Sequence, residues 1–161
     1  MKMAEVCEVF SFAGMKEVSS VLATGNILFS SEVNMSFLKT TLEKILSEHF
    51  TYEAFLFLKT EKEVAEIFEK NPFIKDENLH VYAFVGNPGI EQKLLHEFNK
   101  SQKTENEAAN IINDIFYWQV SKGKTLESQF GKVLGKKSLK SEMTSRNINT
   151  IEKIGKKFGI I

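Results

Sequence analysis

The segment VSSVLATGNILFSS, residues 18–31, decides the fold class that this sequence predicts. It holds two β-rich runs, residues 18–23 and 27–31, with Thr24-Gly25-Asn26 between them. A short polar stretch with a central glycine is typical of a tight turn that joins antiparallel strands. The segment therefore predicts a β-hairpin.

A helix pattern precedes this hairpin, and a helix pattern and a third strand pattern follow it. The first helix is predicted by apolar residues at helical spacing, namely Met3, Val6, Cys7 and Phe10. A second apolar stripe begins after Asn34 or Ser36, two residue types that cap helices. Residues 52–58 are apolar almost throughout, which is typical of a central strand buried on both faces. The order α-β-β-α-β is that of a ferredoxin-like β-α-β-β-α-β unit without its opening strand.

The rest of the chain continues with helix and strand patterns, so the predicted fold class is α+β. Thr60 and Glu63 form the pattern of a capping box, and Asn71-Pro72 ends the helix that it opens. We expect two subdomains, a ferredoxin-like one at residues 1–75 and a second α+β one at residues 76–161 with basic C-terminal helices. The further predicted elements are a strand at 79–85, a helix opened by Asn87-Pro88, a hairpin of 108–112 and 115–120 around Asn113-Asp114, a short helix marked by Leu126 and Phe130, and a final helix.

The charges are distributed unevenly, although the formal net charge of the 161 residues is zero. Residues 1–120 carry 11 lysines and 18 acids, a net charge of −7, and residues 121–161 carry the compensating +7. Two explanations are open: the two parts neutralise each other within the fold, or the basic part meets a phosphate-bearing partner.

Composition and termini predict a cytoplasmic protein with no membrane partner. Cys7 is the only cysteine, so no internal disulfide forms, and a reduced compartment fits this. No apolar run approaches the ~18 residues that cross a bilayer. Residues 1–5 carry an early acid and no apolar core, so they do not resemble a signal peptide.

Arg146 marks the candidate site, because it is the only arginine among 21 basic residues. Only arginine offers a planar, bidentate donor set for a phosphate or carboxylate. If Thr144 or Ser145 caps the last helix, Arg146 lies in its first turn, where free N–H groups attract anions. With Asn147 and Lys140 nearby, this predicts an anion or phosphate site at Arg146, Asn147, Thr144 and Lys140. The alternative is that Arg146 pairs with an acid of the N-terminal part and is structural.

No catalytic residue is identified by the sequence, and no metal or cofactor is predicted. The three histidines, His49, His80 and His96, lie on separate predicted elements without a cysteine cluster. No dinucleotide-binding or Walker pattern occurs. Alternating aromatics such as Phe116 and Trp118 are compatible with base stacking on an open sheet or with a packed core.

Three short segments carry a resemblance to a known family. They are residues 21–29 around Thr24-Gly25-Asn26, Asn71-Pro72-Phe73, and residues 144–150, TSRNINT. Together they resemble the bacterial domain-of-unknown-function family 1697, in the same order and at similar spacing. In that family the hairpin carries Ser-Gly-Asn and the late segment reads Thr-x-Arg-Asn-Trp-Asn-Thr. Here Thr24 stands for the serine and Ile148 for the tryptophan.

The resemblance implies a protein whose activity is not established, and it also implies a missing start. Members of the family usually open with a strand and a glycine-rich loop, and nothing in this sequence corresponds to either. Loss of a central strand removes two ladders of hydrogen bonds, in which each bond is worth ~1 kcal/mol net, and it uncovers apolar surface at about 25 cal/mol per Å². This is comparable with a domain's total stability of about 5–15 kcal/mol. The sequence therefore suggests a gene model that starts at an internal methionine, or a degraded copy.

Three hypotheses for the function remain open at the level of sequence. The first is a binding module for a phosphate-bearing ligand or nucleic acid, centred on Arg146 and the surrounding lysines. The second is an enzyme that acts on a small anionic metabolite in a cleft between the subdomains. The third is a truncated, non-functional copy.

Overall fold

Two compact units, residues 1–58 and 59–161, make up the chain in the computed structural model, which describes all 161 residues. Both contain helices and antiparallel strands, so the predicted α+β class is confirmed. The elements, in chain order, are α1 (Met3–Phe12), β1 (Lys16–Val21), β2 (Asn26–Ser30), α2 (Met35–Phe50), α3 (Glu61–Glu69), β3 (Leu79–Gly86), α4 (Ile90–Lys100), β4 (Ala108–Ile112), β5 (Ile115–Ser121), α5 (Gln129–Leu134), a 3₁₀ helix (Lys137–Leu139), β6 (Met143–Asn147) and α6 (Ile148–Phe158).

The boundary between the units lies before α3, whereas the sequence analysis placed it after residue 75. Helix α3 packs against α6 at the far end of the chain. The hydroxyl of Tyr117 on β5 also donates to the carbonyl oxygen of Ile67 on α3, at 2.8 Å. Burial raises the pKa of Tyr117 to about 12, so this hydroxyl stays a donor. Through these contacts α3 belongs to the second unit, residues 59–161.

The first unit contains the predicted hairpin, which is confirmed. Strands β1 and β2 pair antiparallel, with Val21 opposite Asn26. The side-chain amide of Asn26 donates to the Val21 carbonyl oxygen at 2.9 Å and to Thr24 Oγ1 at 3.0 Å. Gly25 has a φ of 82°, a conformation that favours glycine. Helices α1 and α2 enclose an apolar core with the hairpin, built around Phe10 and Leu42.

The strand predicted at residues 52–58 is wrong as a ladder-forming strand. The segment follows α2 without a regular element, and the only sheet of this unit is β1-β2. Ala54 is nevertheless buried, and Leu56 and Leu58 pack against the same core as the hairpin. A β-strand is defined by backbone bonds to a neighbouring strand, and here no strand lies in ladder contact with the segment.

The second unit is a four-stranded antiparallel sheet in the order β4-β5-β3-β6, with helices on both faces. One face carries α4 and α5 over an aromatic core that includes Phe84, Phe116, Trp118 and Phe130. The other face carries Tyr117 and is covered by α3 and α6. Phe116 and Trp118 are thus core residues, which removes the base-stacking alternative for this pair.

Several local predictions for the second unit are confirmed. Thr60 and Glu63 make both bonds of the capping box of α3. The β4-β5 hairpin turns at Asn113 and Asp114, which have φ values of 48° and 63°. Two residues with positive φ are typical of the tight hairpin turn that matches strand twist.

Three local predictions for the same unit are wrong. Helix α4 begins after Gly89 and not at Asn87, whose backbone N–H donates to the carbonyl oxygen of Glu142 at 2.8 Å. Leu126 does not belong to the apolar face of α5, since it is 86% exposed. The last helix is capped by Asn147 and not by Thr144 or Ser145, because residues 143–147 pair with β3 as strand β6.

Candidate functional site

Arg146 lies on the edge strand β6, directly before the cap of α6, and not in the first helical turn as predicted. It stands opposite Ala83, which stands opposite Tyr117, so the three residues form one row across the sheet. Residues in such a row share a face. Arg146 therefore lies on the face that α3 and α6 cover.

The guanidinium of Arg146 is bonded within its own strand. Nη1 donates to Thr144 Oγ1 and to the carbonyl oxygen of Ser145, both at 2.7 Å. Burial lowers the pKa of Arg146 from its ordinary value. The structure thus brings two of the predicted site residues, Arg146 and Thr144, into direct contact, and it uses part of the guanidinium's donor capacity inside the fold.

Asn147 has a separate role from Arg146. Its Oδ1 accepts the backbone N–H of Asn149 at 2.9 Å and so caps α6. Its Nδ2 lies 3.1 Å from Nδ1 of His80 on β3. Burial, and secondly the charge of Lys122, lower the pKa of His80, so the neutral ring is favoured as the acceptor of this bond. Since Asn147 is next to Arg146 on the strand, its side chain leaves from the opposite face.

Lys140 is exposed in the turn between the 3₁₀ helix and β6, and it belongs to a group of lysines that we call the lysine surface. All four members lie in or beside α5 and the 3₁₀ helix and are exposed. None of them forms an ion pair, whereas Lys93 and Lys124 of the same unit do. The lysine surface consists of Lys132, Lys136, Lys137 and Lys140.

The turn that presents Lys140 is fixed to the start of α4. The Asn87 side-chain amide donates to the Ser141 carbonyl oxygen at 3.3 Å, and Lys93 pairs with Glu142 at 2.8 Å. A Cβ at Gly86 would lie 2.4 Å from the Glu142 carbonyl oxygen, so only glycine allows this approach. The C-terminal end of the lysine surface therefore has a defined position relative to the sheet.

Comparison with known proteins adds a family and a fold. The sequence pattern of the family described as "Protein of unknown function (DUF1697)" matches residues 1–117. The chain belongs to the DUF1697 family. The match covers two of the three segments that carried the resemblance and stops before the third, at residues 144–150.

This DUF1697 chain has the fold of a solved bacterial protein. The solved protein is "conserved bacterial protein SP0830 from Streptococcus pneumoniae", with a TM-score of 0.76 and 20% sequence identity. The alignment covers 97% of this chain and 88% of that one. No curated protein matches the sequence. None of the helices is long and apolar enough to span a membrane.

Sequence reasoning missed Glu107, which organises the polar contacts behind α5 in this DUF1697 chain. Its Oε1 accepts from Trp118 Nε1 at 3.0 Å and from Ser128 Oγ at 2.6 Å. Its Oε2 accepts from the backbone and hydroxyl of Thr104 at 2.8 and 3.0 Å. Burial raises the pKa of Glu107, but the hydrogen bonds of Ser128, Thr104 and Trp118 together bring it below its usual value.

The Glu107 carboxylate is connected to α5, which carries part of the lysine surface, by a hydrogen bond to Ser128. Ser128 is fully buried and is the cap of α5, where its Oγ accepts the backbone N–H of Gly131 at 3.0 Å. A single hydroxyl thus links Glu107 to the helix that carries Lys132. A sequence signal existed, because Thr104 and Glu107 have capping-box spacing. No apolar helical run follows Glu107, so this spacing alone does not predict a helix start.

Proposed function

We propose that this protein is a cytoplasmic binding module for a phosphate-bearing partner, nucleotide or nucleic acid, and that the lysine surface makes the contact. The observation that carries the proposal is that Lys132, Lys136, Lys137 and Lys140 are exposed and free of ion pairs. Residues 128–141 also contain no aspartate or glutamate. Uncompensated positive charge at a defined place on a fold favours an anionic partner.

Lysine suits this role, because an ammonium group binds phosphate as a point charge without demanding one geometry. The two ends of the surface are held to the rest of the unit, α5 through Ser128 and the last turn through Glu142. Charges on a fixed frame lose less conformational entropy on binding than charges on a free tail. Both features favour a specific binding surface over a solvated lysine-rich turn.

Arg146 stays a predicted contact rather than the centre of the site. Its described hydrogen bonds hold Thr144 and Ser145, and it is partly buried. Binding through Arg146 would have to compete with these bonds. The geometry therefore favours the lysines as the residues that a phosphate meets first.

The proposal is tested by binding of fluorescent single-stranded RNA and duplex DNA to the full chain over a series of salt concentrations. If the four lysines contact phosphates of duplex DNA, the negative slope of log K against log salt should become less steep by about 0.9 for each lysine that is replaced by glutamine. A thermal shift with inorganic phosphate and ATP, without oligonucleotide, reports binding of a small phosphate compound instead.

A matched variant controls for net charge. Replacement of Lys2, Lys16, Lys62 and Lys153 by glutamine removes the same charge from exposed lysines that form no ion pair. We expect this variant to retain the salt slope of the parent chain. Equal losses in the two variants, or no binding to any of the probes, would refute the lysine surface as the binding site.

A further inference from the structure

A cleft lies between α3 and the β4-β5 hairpin, within the second unit. Its apolar lining includes Ile67, Ile115 and Tyr117, all of which are buried. The Tyr117 hydroxyl, which donates to the Ile67 carbonyl oxygen, holds the helix to the strand at this point. The cleft has a volume of about 90 Å³. Since sites for drug-sized ligands occupy about 300–1,000 Å³, this one suits a molecule of only a few non-hydrogen atoms.

One wall of the cleft is a stripe of four charged side chains in or beside α3. Lys59, Glu63, Glu66 and Lys70 recur at intervals of four, three and four residues, so they lie along one side of the helix. Lys59 pairs with Glu63 at 3.5 Å, and Glu63 Oε2 accepts the backbone N–H of Thr60 at 2.8 Å. The first two side chains are therefore engaged within the fold, and Glu66 and Lys70 remain for a ligand.

Glu66 is a half-buried carboxylate that forms neither an ion pair nor a side-chain hydrogen bond. Lysines stand four residues before and four residues after it, Lys62 and Lys70, but it pairs with neither. The same spacing does give an ion pair on α6, where Glu152 and Lys156 lie 2.8 Å apart. Partial burial of a carboxylate without a partner costs free energy. A cationic group in the cleft would remove this cost.

Lys70 and Asn113 supply hydrogen-bond donors to the same cleft. Lys70 is the C-terminal cap residue of α3 and forms no ion pair. Asn113 is exposed in the hairpin turn, and its side-chain amide has no bonded partner. An ammonium group and an amide together can bind a carboxylate by charge and by hydrogen bonds.

We propose that this cleft binds a small zwitterion, a molecule in which a short apolar chain joins an ammonium group to a carboxylate. The ammonium group bonds to Glu66, the carboxylate bonds to Lys70 and Asn113, and the chain lies against Ile115. A ligand with a single charge leaves either Glu66 or Lys70 without a partner. The cleft shares no residue with the lysine surface, so the proposal does not depend on phosphate binding.

The test is an NMR titration of the full ¹⁵N-labelled chain with glycine, β-alanine, 4-aminobutyrate and 5-aminopentanoate, which differ in the separation of their two charges. The backbone amide signals of Asn113 and Ile115 should shift and saturate with the member whose length fits the cleft. A ligand of about six non-hydrogen atoms has a small binding energy, so we expect a dissociation constant in the millimolar range.

Two singly charged probes control for the zwitterion. Propylamine and propionate, each at matched ionic strength, make only one of the two charged contacts. Each should bind at least about tenfold more weakly than the best of the four amino acids. Equal binding of propylamine or propionate would overturn the proposal, and so would the absence of a saturable shift with all four amino acids.

Two pairs of variants on the same helix locate the site. Glu66→Gln and Lys70→Gln should each weaken binding of the zwitterion by about tenfold. Glu69→Gln and Lys62→Gln change exposed residues outside the cleft and should leave binding unchanged. The same spectra show whether each variant is folded. Equal losses in the two pairs would overturn the proposal, because binding would then follow the net charge of α3 and not the cleft.

Discussion

In residues 59–161, strands β3 and β5 each bond to a strand on both sides, whereas in residues 1–58 no strand has more than one partner strand. The first arrangement satisfies the backbone by ladders between strands. In the second arrangement, side chains of α2 bond to part of the backbone of residues 53–58. These side chains belong to Lys39, Glu43 and Ser47. Polar side chains on one face of a helix can thus bond to backbone groups that a neighbouring strand would otherwise bond.

The spacing of the two elements explains why this works. Lys39, Glu43 and Ser47 recur every four residues, a rise of about 6 Å along a helix. Alternate residues of an extended chain recur about every 6.4–6.8 Å. One residue per helical turn can therefore meet every second residue of the segment. The substitution is local and depends on single side chains, so the two units should respond differently to mutation.

The largest effect is expected at the aromatic core of the second unit. Phe130 is 0% exposed, and its ring packs against Phe84, Phe98, Phe116 and Trp118. Phe130→Ala should lower the free energy of unfolding by about 3–5 kcal/mol, because it leaves a cavity in a closed core. Urea unfolding measures this change.

A nearby exposed residue gives the control for this prediction. Leu126 is 86% exposed, so Leu126→Ala should change the free energy of unfolding by less than about 0.5 kcal/mol. Similar losses for Phe130→Ala and Leu126→Ala would mean that the core of this unit is not closed around Phe130.

The next effect concerns Glu107 and depends on pH. Its lowered pKa means that the unfolded chain binds a proton more readily than the folded chain does. The stability that it contributes is therefore present above the ordinary value of 4.5 and is lost as pH falls through the lower folded pKa. Glu107→Gln should lower the free energy of unfolding by about 1–3 kcal/mol at neutral pH. It should also make the loss of stability at acidic pH smaller.

Glu105→Gln is the matched control, because Glu105 is an exposed acid in the same loop. Urea unfolding from pH 7 down to about pH 3 compares the variants. If the loss of stability at acidic pH is the same in Glu107→Gln as in the parent chain, the carboxylate does not make the hydrogen bonds to Thr104, Trp118 and Ser128.

The elements that the sequence predicted correctly depend on neighbours in the chain. The hairpin at Thr24-Gly25-Asn26, the turn at Asn113-Asp114 and the capping box at Thr60 and Glu63 are each made by residues a few positions apart. Turn and cap chemistry acts over this range, so its signals are readable without the tertiary structure.

The elements that were missed depend on distant partners. Residues 143–147 are mostly polar and become a strand only because β3 offers its edge. Asn87 does not cap α4, and its backbone N–H and side-chain amide donate to the carbonyl oxygens of residues 141–142. For the candidate site, the sequence named Arg146 and Thr144 among four residues, and their direct contact is seen only in the structure. It did not find Glu107, whose partners lie up to 21 positions away.

A smaller effect is expected where α2 replaces a strand. Glu43→Ala removes the acceptor of the Leu56 N–H, so the free energy of unfolding should fall by about 1–2 kcal/mol. Amide exchange at Leu56 should become faster than in the parent chain. The control is Glu48→Ala, because Glu48 meets only Lys44 at 3.9 Å on the surface and should contribute about 0–0.5 kcal/mol. A protected Leu56 amide in Glu43→Ala would mean that another group bonds this edge.

The smallest effect separates the two roles considered for Arg146. Arg146→Lys keeps the charge but loses the planar donor set that holds Thr144 and Ser145, at a cost of about 1 kcal/mol. Because the lysine surface carries the proposed binding, oligonucleotide affinity should stay that of the parent chain. Unfolding and anisotropy measurements on one preparation test both statements. A structural arginine cannot be replaced without a change in stability, whereas a ligand-binding one can. Lost affinity with unchanged stability would therefore place the phosphate contact at Arg146 on β6 and not at the exposed lysines.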